Sequence, residues 1–252
     1  MAELKEIRVF DDLPALARAA AEEVVRVLSD AIRNRDRATI ALSGGSTPKA
    51  LYRLLASDES FRSRMPWSAI HFFWGDERHV PPDHAESNYR MAREAMLDLV
   101  PVPPENVHRI YAEEKDAERA ATEHEAELRS FFALKTDEWP RFDLVLMGLG
   151  PEGHTASLFP GSPAITESSR LVVAPWVEAH DTFRITMTPP VFNHGAEVLF
   201  LVSGEEKAPA VRAVLEGERD PELVPAQVVR PVDGKLLWML DRAAARDLVS
   251  AV

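Results

Sequence analysis

Six short apolar runs alternate with helical patterns along this chain, and this alternation constrains the fold more than any other feature. Short apolar runs bounded by polar or glycine residues are typical of buried strands. The runs are Ala38–Leu42, Ile70–Trp74, Asp143–Met147, Leu171–Ala174, Val198–Val202 and Lys235–Leu240. Helical spacing covers residues 13–32, 48–56, 87–98, 116–134, 205–215 and 241–249. The alternation predicts an α/β fold, with a parallel or mixed sheet flanked by helices on both faces.

The length of the chain bounds the number of domains. With 252 residues, it can form one large domain or two small ones. The sequence shows no internal repeat and no low-complexity linker. We therefore expect a single domain over residues 1–252.

Charge and composition argue against several kinds of partner. Acidic residues outnumber basic ones by 41 to 29, for a net charge of −12, which disfavours nucleic acid and anionic membranes. No apolar run approaches the ~20 residues of a membrane span. The absence of cysteine excludes disulfides and a cysteine nucleophile, and it agrees with a cytoplasmic location. We expect a monomer, because no helical pattern has an unusually apolar face.

The first candidate site follows the first apolar run and precedes a helix predicted to begin near Pro48. It consists of Ser43, Gly44, Gly45, Ser46 and Thr47. Glycines allow close approach of the backbone to a ligand, and hydroxyls with N–H groups at a helix start suit a phosphate. The spacing is neither that of a P-loop nor that of a dinucleotide-binding loop. On the residues alone, a phosphate site and a capped turn remain equally supported.

Charged residues follow the second run. Arg78 can bind a phosphate through its forked guanidinium, with Asp76 or Glu77 orienting it. The alternative is a solvated loop with an internal ion pair. Further on, Ser87 is predicted to cap a helix.

A glycine-rich loop after the third run, residues 148–153, leads into His154. A helix is predicted to begin near Thr155, and its N-terminal partial charge would lower the pKa of the imidazole. A neutral imidazole suits a general base, and Glu152 is close enough in sequence to orient it. The alternative is a loop histidine without a catalytic role.

Two further cations come from the second half of the chain. Arg184 begins a segment of alternating character, either as an ordinary strand-edge arginine or facing the same pocket as Arg78. Lys207 falls in the predicted first turn of a helix, where the dipole disfavours a cation unless an anion binds; a solvated lysine is the alternative. The sequence has no Gly-x-Ser-x-Gly elbow and no His-Glu-x-x-His pair, so we expect neither an α/β-hydrolase nor a zinc site.

Taken together and in order, these motifs resemble those of the 6-phosphogluconolactonase family. The resemblance covers nearly the whole chain and rests on SGGSTP at 43–48, WGDERHVP at 74–81, SNY at 87–89, DLVLMGLGPEGHTASLFPG at 143–161, RITMT at 184–188 and GEEK at 204–207. It implies a Rossmann-like domain shared with glucosamine-6-phosphate deaminases and ribose-5-phosphate isomerases. It also implies hydrolysis of 6-phosphoglucono-δ-lactone, a small-molecule substrate, in the pentose phosphate pathway, without metal or organic cofactor.

The resemblance also implies roles for individual residues. His154 matches the histidine of the family, Arg78 and Arg184 its arginines, and Lys207 its lysine. The 6-phosphate would bind residues 43–47 with Arg78 and Lys207, while His154 activates water. Arg184 or backbone N–H groups of the glycine loop would hold the oxyanion. Glu152 stands where many members carry aspartate, so its carboxylate is one methylene farther from the backbone.

Two other functions stay open on the sequence. In deaminases of this fold, a Phe-Asn-Glu-Pro segment follows the histidine; here the corresponding stretch is Ser157-Leu158-Phe159-Pro160, which lacks the acid. This difference favours a lactonase over a sugar-phosphate isomerase or deaminase. The third possibility is a non-catalytic sensor that binds a sugar phosphate.

Overall fold

A computed structural model describes residues 5–249 of the chain. The strands are β1 Lys5–Phe10, β2 Ala38–Leu42, β3 Ile70–Trp74, β4 Asp76–Arg78, β5 Val107–His108, β6 Leu144–Met147, β7 Val172–Val173, β8 Trp176–Val177, β9 Thr182–Met187, β10 Glu197–Val202 and β11 Lys235–Asp241. The helices are α1 Leu13–Arg35, α2 Ser46–Ser57, α3 Glu59–Arg62, α4 Asn88–Ala95, α5 Ala117–Phe131, α6 Pro189–Asn193, α7 Ala208–Leu215 and α8 Arg242–Ala245.

The main sheet has seven parallel strands in the order β1-β11-β10-β6-β2-β3-β5. Every residue of β2, β6 and β10 is buried. Continuous burial of this kind requires cover on both faces of the sheet, and helices flank it as the sequence predicts. The long helix α1 packs against β2, β6 and β11, and Asp12 caps it by accepting a hydrogen bond from the backbone of Ala15.

A small antiparallel sheet, β4-β9-β7 with β8 paired to β9, lies beside the main one. The chain passes from β3 to β4 through the single residue Gly75, whose N–H donates to Leu42 of the main sheet and whose carbonyl accepts from Met187 of β9. This transfer carries Asp76 and Arg78 from the end of a main-sheet strand into the second sheet. In that sheet, Arg78 lies directly opposite Arg184.

The predicted elements match the structure where the apolar signal is strong. Five of the six apolar runs form β2, β3, β6, β10 and β11, and the sixth forms β7 of the small sheet. The helix predicted near Thr155 is wrong: Thr155 and Leu158 form an isolated antiparallel bridge around a tight turn. The helix predicted over 241–249 is limited to α8, and the one over 205–215 begins with a short 3-10 turn before α7.

Glu197, the first residue of β10, and Glu23 of α1 form a pair of buried carboxylates. Glu197 and Glu23 both bind Arg26, at 2.8 and 2.6 Å. Burial alone would raise the pKa of Glu23, but the hydrogen bond from Arg26 lowers it to about 2. Burial and the neighbouring Glu23 carboxylate raise the pKa of Glu197 to about 7. Glu197 therefore keeps its proton to a higher pH in the folded protein than in the unfolded chain.

Replacing Glu197 with glutamine is therefore expected to stabilise the protein at alkaline pH. A raised pKa means that the wild type loses stability as pH rises from about 4.5 to about 7, and a neutral amide escapes this loss. At pH 8.5 we expect the Tm of the variant to exceed that of the wild type by about 2–4 °C, the shift given by ~1 kcal/mol. The difference should vanish near pH 4.5. A variant that melts lower than the wild type at pH 8.5 would show that folding stabilises the charged carboxylate and that the pKa of Glu197 is not raised.

Candidate active site

A cleft of about 210 Å³ opens beyond the carboxyl ends of the neighbouring strands β10, β6, β2 and β3. In open α/β sheets, this edge is where ligands bind. The lining residues are Ser43, Gly44, Gly45, Ser46, Thr47, Pro48, Asp76, Arg78, Asn88, Gly148, Leu149, Gly150, Pro151, His154, Thr155, Ala156, Leu201, Val202, Ser203 and Lys207. Of the ten residues predicted for the site, eight line the cleft. Arg184 and Glu152 do not, although Arg184 lies opposite Arg78 and Glu152 lies 3.0 Å from His154.

The loop after β2 presents its backbone to the cleft. Gly45 precedes α2 with a φ of 102°, a conformation that favours glycine, and no side chain caps the helix. The N–H groups of the first turn are thus left for a ligand. The hydroxyl of buried Tyr52 holds the loop from below, because it accepts from the N–H of Ser43 and donates to its carbonyl. The helix begins at Ser46, two residues earlier than predicted.

Gly44 is fixed by a contact that the sequence did not reveal. A Cβ at this position would lie 2.0 Å from Oδ1 of Asn88, so only glycine fits. The amide of Asn88 also donates to the backbone carbonyl of Asp76 at 3.0 Å and to its carboxylate at 3.2 Å. Asn88 thereby joins the loop after β2 to β4. Its only local signal is its position directly after Ser87, which caps α4 as predicted.

The expected orientation of Arg78 by Asp76 or Glu77 is wrong. The carboxylate of Asp76 instead accepts from Asn88 and from the hydroxyl of Ser157, at 2.7 Å. Glu77 accepts from the backbone N–H groups of residues 78, 88 and 89 and from the hydroxyl of residue 87, at 2.7–3.0 Å. Both carboxylates therefore stabilise the loop through hydrogen bonds and do not bind the guanidinium of Arg78. That guanidinium donates to the backbone carbonyl of Glu86 at 3.0 Å.

Three cations, Arg78, Arg184 and Lys207, come from loops and strands at this edge of the sheet. Within residues 5–249, neither Arg78 nor Arg184 nor Lys207 forms an ion pair with a carboxylate. Arg184 is only 6% exposed, and burial together with the charge of Arg78 lowers its pKa. Like charges directly opposite each other on paired strands are destabilising. Their persistence in a chain of net charge −12 indicates a site for an anion.

His154 belongs to the loop after β6 and lines the cleft. Oε1 of Glu152 is 3.0 Å from its Nδ1, although the N–H direction is too far off line for a hydrogen bond. Burial lowers the pKa of His154, and the ammonium of Lys207 adds to this effect while the Glu152 carboxylate opposes it. The helix dipole expected from the sequence is absent, because no helix begins at Thr155, and desolvation lowers the pKa of the imidazole instead.

Gly150 sets how closely the backbone approaches His154. A Cβ on residue 150 would lie 2.0 Å from Nδ1 and 2.1 Å from Cε1 of the imidazole. We therefore expect Gly150→Ala to push the ring aside and lower kcat about 100-fold, since displacement of a catalytic group by ~1 Å has that effect. Binding of the product should change little. Gly161→Ala is the control, because nothing lies within 4 Å of the new Cβ; its φ of 72° strains alanine, so it should lose some stability and keep kcat. Equal kcat in the two variants would exclude the steric argument.

No group of three or more histidine, aspartate or glutamate side chains in the described part of the chain is arranged to hold a metal ion. No helix among residues 5–249 combines the length and apolar character needed to cross a membrane.

Comparison with known proteins agrees with this geometry. A family model described as glucosamine-6-phosphate isomerases/6-phosphogluconolactonase matches residues 11–238. The chain belongs to this family. A 6-phosphogluconolactonase of Synechocystis sp. is 44% identical over 221 residues, 88% of this chain and 89% of that protein. One from Mycobacterium tuberculosis is 41% identical over 97% of this chain and 98% of its own length.

Solved structures of family members share the fold. A 6-phosphogluconolactonase from Trypanosoma brucei superposes with a TM-score of 0.87 at 31% identity, covering 98% of this chain and 100% of that one. The enzyme from Trypanosoma cruzi gives 0.85 at 32% identity, with 99% and 98% covered. A monomeric glucosamine-6-phosphate deaminase gives 0.79 at 20% identity over 96% of this chain and 100% of that one, which shows the shared fold alone.

Proposed function

We propose that this chain hydrolyses 6-phospho-D-glucono-1,5-lactone to 6-phosphogluconate in the oxidative pentose phosphate pathway. One observation carries the proposal: Arg78 and His154 line one cleft, Arg184 lies opposite Arg78, and neither arginine forms an ion pair with a carboxylate among residues 5–249. An anion anchor beside a neutral base is what a phosphorylated, hydrolysable substrate requires. The relatives named 6-phosphogluconolactonase support this choice of substrate.

The phosphate anchor in this proposal combines backbone and side chains. The 6-phosphate accepts from the free N–H groups at the start of α2 and from the hydroxyls of Ser46 and Thr47. Arg78 and Lys207 neutralise it, since both line the cleft. Arg184, expected from the sequence as an alternative to backbone N–H groups for holding the oxyanion, lies opposite Arg78 and outside the cleft lining, so in this proposal its charge adds to the attraction of Arg78 for the phosphate. Each charge-assisted contact contributes roughly 1.5–3 kcal/mol.

The hydrolytic step then uses His154 as the base. The imidazole takes a proton from water, the water oxygen bonds to C1, and the carbonyl electrons move onto the oxyanion. Backbone N–H groups of the glycine loop after β6 stabilise this charge. The oxyanion collapses, the bond from C1 to the ring oxygen breaks, and His154 returns its proton to that oxygen. Positioned proton transfer contributes about 10²–10⁴-fold. Glu152, 3.0 Å from Nδ1, favours the imidazolium that forms.

The function is tested by adding the purified protein to lactone freshly generated from glucose 6-phosphate. We expect lactone to disappear faster than in a blank with heat-denatured protein, and glucosamine 6-phosphate to release no ammonia. Ammonia release would assign the chain to the deaminases, and binding of 6-phosphogluconate without turnover would make it a sensor. In this proposal the protein acts as a cytoplasmic monomer on a small molecule, which sedimentation analysis checks for the oligomeric state.

A further inference from the structure

A tight turn follows His154 and folds the chain back over the imidazole. Thr155 and Leu158 pair across it, and Ala156 at its tip has a φ of 47°, in the left-handed region. For a residue with a side chain, this conformation is strained and persists only where the surroundings enforce it. Here the hydroxyls of Thr155 and Ser157 hold the turn, donating at 2.8 and 2.7 Å to Gly148 and Asp76.

The turn places an aromatic ring on the imidazole. Phe159 stacks on His154 with ring centroids 4.3 Å apart and planes 28° from parallel. The phenyl ring is 9% exposed, and its edge contacts His180 at 5.5 Å. Since Gly150 also touches the imidazole, the ring is confined between backbone and phenyl group.

We propose that Phe159 is a positioning residue that fixes the plane of the His154 imidazole and shields it from water. This inference rests on the proposed role of His154 as the base. Phe159 itself touches neither water nor lactone in the reaction. Its effect passes through the histidine: a confined ring keeps its nitrogen aimed at the attacking water, and a covered face keeps the ring neutral.

Charged groups on three elements around the imidazole also influence the pKa of His154. Glu152 approaches Nδ1 from the loop before it, Asp76 acts from β4, and Lys207 acts from the loop after β10. The two acids favour the imidazolium, whereas burial and Lys207 disfavour it. Burial is the largest of these influences on the pKa, and Phe159 supplies part of the cover. Removing the phenyl ring admits water and lets the pKa of His154 return towards its ordinary value.

The test is a pH titration of His154 by NMR in the wild type, Phe159→Leu and Phe159→Tyr, with the signal assigned from its loss in His154→Gln. We expect the pKa of His154 to rise towards 6.5 in Phe159→Leu and to stay unchanged in Phe159→Tyr, which keeps the stacked ring. In kinetics, kcat of Phe159→Leu should fall about tenfold at pH 6.5 and recover in part at pH 9, with KM within twofold.

Phe183→Leu is the matched control, because that phenylalanine contacts Trp176 and His79 instead of His154. It should leave both the titration and the pH profile unchanged. A pKa of His154 that is the same in wild type and Phe159→Leu, or a kcat loss equal at every pH, would overturn the proposal. The titration needs no turnover, so it reports on Phe159 even if the protein proves inactive towards the lactone.

Discussion

Replacing His154 with glutamine is expected to lower kcat for lactone hydrolysis by about 10²–10⁴-fold while KM stays within a few-fold of the wild type. The variant keeps the phosphate anchor and loses the group that accepts the proton of water. Glutamine is close to histidine in size, so the contacts with Gly150 and Phe159 change little. The measurement is steady-state consumption of freshly generated lactone, corrected for spontaneous hydrolysis.

His180→Gln supplies the control for this experiment. His180 is exposed, lies next to Phe159 and does not line the cleft. Its replacement should leave kcat within twofold. If kcat of His154→Gln equals that of the wild type, another group activates water and the proposed mechanism fails, although the phosphate anchor could still be correct.

The second large effect concerns the arginine pair. Arg78→Gln should raise KM by about 10–100-fold and weaken binding of 6-phosphogluconate by a similar factor, as expected for loss of one charge-assisted contact of roughly 1.5–3 kcal/mol. Arg184→Gln should act in the same direction by a smaller factor, because Arg184 lies outside the cleft lining. kcat should change much less, since the phosphate is remote from C1. Calorimetry with 6-phosphogluconate measures the loss directly, and Arg119→Gln on the exposed face of α5 is the matched control.

The stability of Arg184→Gln separates a binding role from a structural one. Arg184 is a buried residue, lies opposite Arg78 on the paired strand and forms no ion pair among the described residues. Its removal relieves repulsion, so the Tm without ligand should stay the same or rise. A fall of several degrees in Tm, with KM unchanged, would show that Arg184 supports the fold and binds no phosphate.

Most of the main sheet was predictable because its strands are continuous apolar runs. β2 and β10 are buried along their whole length, which leaves a clear signal in the sequence. β1 carries charged and partly exposed residues at the edge of the sheet, and β5 has only two residues, so neither leaves such a signal. β4 consists of three charged residues that become a strand only through pairing with β9.

The candidate site was predictable in its residues and less so in their arrangement. His154, Arg78 and Lys207 follow buried strands, which places them at one edge of the sheet by topology alone. The helix expected at Thr155 fails because its hydroxyl donates to Gly148 across the loop instead of capping a helix. Pairings between distant segments, such as Arg78 with Arg184, are set by the small sheet and have no local sequence signal.

The most direct test of the central claim is a crystal structure of the protein with 6-phosphogluconate bound. We expect the phosphate at the start of α2, in contact with Arg78, and the carboxylate carbon of the product beside His154. The same ligand contacts in crystals of the wild type and of His154→Gln would confirm this orientation of the ligand in the cleft. A ligand bound in the reverse direction, with its phosphate at His154, would contradict it.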